Sequence, residues 1–174
     1  MRLSINGIVI LATSRVLKRL TIMNSTLVGD EILLSDAVHM GIAVALLEGL
    51  IVPVLRHADK KGLLEIARES REVARKTRQG TLSLDEVTGG TFTVTNVSML
   101  ELDGFTPILK PPETGILGIG RVKEKPVVYK GEIAIRSVMC LSLTFYHRVV
   151  DGVPATTFLE TVARYLEHPV LSMT

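Results

Sequence analysis

The sequence lacks tryptophan, has a single cysteine, few aromatic residues and almost no charge imbalance. Each shortage closes off a class of protein. Cys140 alone cannot form an internal disulfide, which points to a reducing cytoplasm or an organelle matrix. Twenty basic residues against 18 acidic ones leave a net charge of +2, too weak for a nucleic-acid footprint. Three Tyr and four Phe offer few platforms for base stacking. The apolar stretch 41–55 is interrupted by Glu48 and Pro53 and falls short of the roughly 20 residues that a membrane span needs. The apolar residues 8–12 are followed at once by Arg15, Lys18 and Arg19, which does not read as a signal peptide. His39, His57 and His168 show no metal-ligand spacing, and no metal is expected.

What the chain does have is apolar residues: 47% of 174, with a mean hydropathy of +0.36. That suits one domain with a sizeable core, and a subunit that hides apolar surface against copies of itself. Ser4 is placed to cap a helix over 5–19, with Ile5, Ile8, Val9, Ala12, Val16 and Leu20 on one side. Residues 27–31 read as a turn into a short strand, 32–34. The runs 38–47 and 50–56 read as strands separated by Glu48-Gly49, with Pro53 disfavouring a central position in a sheet. Helical character covers 59–80, its stripe made of Leu63, Ile66, Ala67, Val73 and Ala74. Its basic residues read as a solvated face with i,i+4 pairs, or more sharply as a weak attractor for a polyanionic cofactor tail. Strands are expected at 91–96, 115–122, 125–131 and 132–146. Pro154 opens a last helix in its first turn and His168-Pro169 ends it. The pattern is α+β with a large mixed sheet.

Chemistry concentrates near the C-terminus. The strand ending in Phe145-Tyr146 delivers His147 to its exit, with Asp151 and Gly152 in a turn behind it, which is how a fold holds a general base still. An H-x-x-x-D-G string occurs by chance in about one per cent of chains this long. Its plain alternative is a buried histidine with a hydrogen-bonded aspartate closing a turn. Thr95 ends an alternating strand; Thr91, Thr93 and Thr95 share a face, and the plain reading is a solvent-facing threonine row. Cys140, inside an apolar strand, reads as a core residue.

Several segments occur together in the order and spacing of one family. They are Gly89-Gly90-Thr91-Phe92-Thr93-Val94-Thr95-Asn96, Phe105-Thr106-Pro107-Ile108, Pro111-Pro112-Glu113, Ile116-Leu117-Gly118-Ile119-Gly120, Leu141-Ser142-Leu143 and His147-Arg148-Val149-Val150-Asp151-Gly152. Leu3-Ser4-Ile5-Asn6, Gly49-Leu50-Ile51-Val52-Pro53-Val54 and Asp59-Lys60-Lys61 add to them. Together they resemble the catalytic domain of the dihydrolipoamide acyltransferases, the core component of 2-oxo acid dehydrogenase complexes, over essentially the whole chain, 1–174.

The resemblance implies a chloramphenicol acetyltransferase-like two-layer sandwich and a homotrimer with active sites at subunit boundaries. The trimers would build a cubic or dodecahedral core. It implies acyl transfer between dihydrolipoamide and coenzyme A, the lipoyl group coming from a lipoyl domain on a separate domain or chain. Dehydrogenase and dihydrolipoamide dehydrogenase components are possible further partners. His147 would be the general base, Thr95 of the neighbouring subunit the oxyanion donor, and Asp151 a structural residue holding the His147 loop. The chemistry suits these residue types. An ordinary thiol, near 8.5, loses its proton to an ordinary imidazole, near 6.5, at a cost of about 2.7 kcal/mol.

The sequence departs from the family pattern in four places. Tyr146 stands where an aspartate precedes the motif histidine. Ser98 and Glu101 stand where glycines follow the motif asparagine. Leu46-Leu47 replaces a polar pair. Finally, the family domain begins upstream of Leu3, with an arginine expected to pair with Asp151, and neither a lipoyl nor a peripheral-subunit-binding domain is expected here. An alternative is therefore a truncated relative that acts as an assembly scaffold. Another is a stand-alone acetyltransferase using a small hydroxylated or amine acceptor.

Overall fold

The computed structural model describes residues 4–172. Leu3 of the first motif, and Met173 and Thr174 of the tail, lie outside them. Helix α1 (Ile5–Arg19) starts where the sequence places it, with the Ser4 hydroxyl accepting the Gly7 N–H at 3.3 Å. Satisfying one otherwise orphaned donor fixes the helix start. Strands β1 (Ser25–Val28) and β2 (Glu31–Leu34) form a hairpin around Gly29-Asp30, one strand more than the expected turn and strand.

The run expected as a single strand over 38–47 is two, β3 (Met40–Ile42) and β4 (Val44–Leu46). The run 50–56 likewise splits into β5 (Gly49–Ile51) and β6 (Val54–Leu55). The chain leaves the main sheet at Ala43, makes the β4–β5 hairpin, and returns after Pro53 as an edge strand. An edge is where a residue without an N–H is tolerated. The 59–80 segment divides too: Ala58–Lys60 is a short 3-10 turn, and helix α2 (Leu63–Gln79) begins after Gly62 and ends at Gly80, whose φ of +66 suits glycine.

Strand β7 (Phe92–Asn96) follows, then β8 (Gly115–Tyr129) and β9 (Glu132–Phe145), and finally helix α3 (Gly152–Glu167). The expected 115–122 and 125–131 segments are one long strand with a register shift between Ile119 and Val122. The five-stranded sheet has the order β6-β3-β7-β8-β9, parallel at β3–β7 and β7–β8 and antiparallel at its two edges. It is mixed, as expected, and the helices supply the second layer.

Alternation gives the sheet two different faces. Met40, Ile42, Phe92, Val94, Leu117 and Ile119 point to the helices and are buried. Phe92 packs on Phe158 of α3 with ring centroids 5.4 Å apart. The opposite face carries small or polar residues, among them Gly41, Thr93, Thr95, Gly118, Ser142 and Thr144, set by the same registers. The segment 97–114 crosses this face as a strap. Phe105 and Pro107 sit over Gly118, and the Asp103 carbonyl oxygen lies 2.0 Å from where a Cβ on Gly120 would stand. The Thr144 hydroxyl donates to Pro107 O at 2.6 Å.

Cys140 is exposed rather than in the core. It lies on the strap side of β9, where its near neighbour is Gly104 and not the helical layer. Apolar side chains also stay exposed on the β1–β2 hairpin (Ile32, Leu33, Leu34), on the β4–β5 hairpin (Leu47, Leu50), and on the far part of the β8–β9 pair (Val128, Ile133, Ile135). No described helix is long and apolar enough to cross a membrane.

Candidate active site

His147 sits in the turn after β9. Tyr146 ends the strand by donating its N–H to Thr114 O at 2.9 Å, and its own carbonyl accepts the N–H groups of Val149 and Val150. Val150, 2% exposed, pins the turn to the core. The imidazole itself points out: its side chain is 70% exposed, and that of Asp151 is 88% exposed. The alternative of a buried histidine hydrogen-bonded to an aspartate is therefore overturned. His147 Nδ1 lies 3.8 Å from Asp151 Oδ1, too long for a hydrogen bond but close enough for an ion pair when the ring is protonated. An exposed Asp151 also escapes the cost of a buried, unpaired carboxylate. Phe145 flanks the ring, with centroids 5.4 Å apart. Tyr146 accepts a hydrogen bond on its hydroxyl from Arg148 at 3.2 Å.

The threonine row is not solvent-facing. Thr91 and Thr93 are buried, and their hydroxyls are engaged: Thr91 donates to His39 O at 3.3 Å, and Thr93 donates to Glu113 Oε2 at 2.5 Å. Glu113, 1% exposed, is further held by Lys110 at 3.2 Å. The half-buried Thr95 differs, because among the described residues its hydroxyl has no intramolecular partner. It stands beside Gly118, the position the strap covers with Phe105 and Pro107.

One protomer does not bring Thr95 and His147 together. Thr95 pairs with Gly118, and Gly118 with Ser142. Phe145, the end of β9, is roughly 10 Å further along and two strands, roughly 10 Å, across. His147 lies beyond that end. His147 and the Thr95 hydroxyl thus lie well apart within one protomer. Two sizeable hollows, one of about 250 Å³ around Asp103, Arg121 and Lys125 and one of about 710 Å³ between β9 and α3, include neither residue. Hydrogen-bonded to Lys125 and Arg121, the Asp103 carboxyl is held down at about 2. The described residues contain no cluster of His, Cys, Asp or Glu that could hold a metal ion.

The sequence also concealed the Glu113–Thr93–Lys110 network and a side-chain link from Asn96 to Asn6 on α1. The only signal for the first was a glutamate following two prolines after a threonine strand. Nothing in the spacing of the two asparagines, ninety positions apart, pointed to the second.

Comparison with known proteins gives these elements a family. The family described as 2-oxoacid dehydrogenases acyltransferase (catalytic domain) matches residues 1–174. The chain belongs to this family. It is 46% identical over 169 residues to the Bacillus subtilis dihydrolipoyllysine-residue acetyltransferase component of the acetoin cleaving system, covering 97% of this chain and 42% of that one. The chain thus spans about two-fifths of the length of the curated relatives it matches.

The Azotobacter vinelandii dihydrolipoamide acetyltransferase superposes with a TM-score of 0.94 at 32% identity, over 99% of this chain and 72% of that one. The cubic core of the pyruvate dehydrogenase multienzyme complex gives 0.95 at 33% identity, again over 99% and 72%. Chloramphenicol acetyltransferase, at 15% identity and a TM-score of 0.65 over 94% of this chain and 78% of that one, shares the fold alone.

Proposed function

We propose that this acyltransferase-family chain passes an acyl group between the thiol of a dihydrolipoyl arm and the thiol of coenzyme A, at sites shared between neighbouring copies. In this reading His147 of one copy takes the proton from the attacking thiol. The sulfur then adds to the thioester carbonyl. The Thr95 hydroxyl of the adjacent copy donates a hydrogen bond to the resulting oxyanion. As the carbonyl re-forms, the C–S bond to the departing sulfur breaks, and that thiolate recovers the proton from the imidazolium. With Nδ1 turned toward Asp151, Nε2 is the nitrogen left to exchange the proton. One placed donor of this kind contributes roughly 2.7–4 kcal/mol to the transition state. Both sulfurs belong to the substrates, so Cys140 needs no part.

The observation that carries the reading is positional. Work on the Azotobacter enzyme addressed the catalytic role of a serine, a histidine 52 positions later and an asparagine four beyond that. Thr95, His147 and Asp151 repeat both intervals, with threonine for serine and aspartate for asparagine. A trimeric arrangement supplies the missing half of each site. It also accounts for the apolar side chains left bare on the hairpins and the long strand pair.

The test is subunit mixing with acetyl-CoA and dihydrolipoamide as substrates. His147→Ala and Thr95→Ala proteins, each expected to retain about one per cent of native activity or less, are dissociated, combined in equal amounts and reassembled. Random trimers with sites shared between neighbours restore about a quarter of the native sites. No recovery from two variants that reassemble normally would refute a shared site. If the native protein matches the His147→Ala background while remaining a folded oligomer, the scaffold alternative stands. Turnover with a hydroxylated or amine acceptor, but none with dihydrolipoamide, would favour a stand-alone acetyltransferase.

A further inference from the structure

Thr95 and Asn96 are consecutive, so their side chains leave β7 on opposite faces. Thr95 faces the strap. Asn96, the last residue of the strand, faces the helices and makes two hydrogen bonds. Its Oδ1 accepts the Ser98 N–H at 2.7 Å, and its Nδ2 donates to Asn6 Oδ1 in the first turn of α1. The orientation of the amide is forced, because Ser98 offers a donor and needs an oxygen. That leaves the NH2 for Asn6, whose oxygen must face it.

The ladder to β8 runs to Asn96 opposite Ile119. Beyond it Val97 donates to Ile119 O at 3.1 Å and Leu100 to Val97 O at 2.8 Å, after which the chain turns at Glu101 with a φ of +52. Helix α1, by contrast, is anchored. From Val9 to Leu17 it is buried at most positions, and Gly7 lies against Ala67 of α2. The two asparagine side chains therefore tie the last residue of β7, next to the unengaged hydroxyl, to the buried helix α1.

Resting on the reading of Thr95 as oxyanion donor, we propose that Asn96 and Asn6 are positioning residues for it. They form an amide clamp that fixes where the hydroxyl sits without touching substrate. A donor must stand where charge develops, and a misplacement of about 1 Å can cost on the order of a hundredfold in rate. The clamp also gives a role to the turn at Ser98, whose N–H is seated by the same side chain.

The experiment is a double-mutant cycle on the full 174-residue chain, following acetyl transfer from acetyl-CoA to dihydrolipoamide. Asn96→Ala and Asn6→Ala are expected to lower kcat about tenfold with KM nearly unchanged. In a Thr95→Ala background the same substitutions should do almost nothing further, because the group they position is gone. Asn96→Asp should recover most of the native rate: it keeps the acceptor for Ser98, and the Asn6 amide can rotate to present its NH2. Should Asn96→Ala fail to fold, Asn6→Ala still tests the idea, since it leaves the Ser98 turn intact.

Losses that simply add to that of Thr95→Ala, or that appear in KM, would overturn the clamp while leaving the role of Thr95 standing. Failure of Asn96→Asp to rescue would overturn it too. A Thr95→Ala protein with native kcat would instead remove the oxyanion role, and the clamp with it.

Discussion

The surroundings of Thr95 and of His147 are built in opposite ways. Around Thr95 the structure is fastened: Asn96 to Asn6 and Ser98, and Phe105 and Pro107 onto Gly118. Around His147 the backbone turn is pinned but the ring stands in solvent, 3.8 Å from an equally exposed aspartate. A hydroxyl works only by where it is, so its surroundings must be rigid. An imidazole works by exchanging a proton, and the walls that shield it can come from another copy.

Substitution of each residue breaks the comparison most sharply. His147→Ala should cost about a thousandfold in kcat for acetyl transfer, within the range of general-base removal. Thr95→Ala should cost about a hundredfold or somewhat more, with Thr95→Ser close to native. Steady-state kinetics on oligomers of native mass checks both, and a larger loss at Thr95 than at His147 would invert the proposed division of labour.

Glu113→Ala tests a buried polar contact without touching the reacting groups. It leaves the Thr93 hydroxyl buried and unpaired and removes the partner of Lys110, so unfolding in urea should show a loss of about 3 kcal/mol. Beside His147, Asp151→Asn should change kcat less than about tenfold, because exposed charges 3.8 Å apart interact weakly. A much larger effect would mean that a neighbouring copy buries this pair.

The smallest effect concerns His39, beside β3. Partial burial, and then the neighbouring Arg56 and His57, hold its pKa below 6.5. Its Nδ1 accepts the His57 N–H at 3.1 Å, which also favours the neutral ring. The unfolded chain therefore binds this proton more readily than the folded one. The contribution to stability is fully present above pH 6.5 and is lost as pH falls from there through the lower folded value. Denaturation midpoints of the native protein and His39→Gln should converge as the pH is lowered across that window.

Much of this was legible in the residues. The Ser4 cap, Pro154 in the first turn of α3, the edge position after Pro53 and the strand exit at His147 all follow from local chemistry and appear in the structure. What could not be read was which surface each strand covers. Alternation separates Thr91, Thr93 and Thr95 from Phe92 and Val94, but only the strap and the buried Glu113 determine that the polar side is not simply wet. Cys140 misled for the same reason: its neighbours are apolar, yet its own side chain leaves on the face away from the helices. The broken strands between 38 and 56 escaped because a continuous apolar run hides the point where a chain changes sheets. The motif singles out His147 and Thr95 as candidates, whereas the Asn96–Asn6 link depends on a contact across ninety positions.

The seat of the strap on Gly120 has one more consequence. With a backbone oxygen 2.0 Å from where a first side-chain carbon would go, even alanine has no room there. A saturation scan would show this position rejecting all nineteen alternatives. The intolerance would look like that of an active-site residue, yet it would record only that two stretches of main chain share a space too narrow for a methyl group.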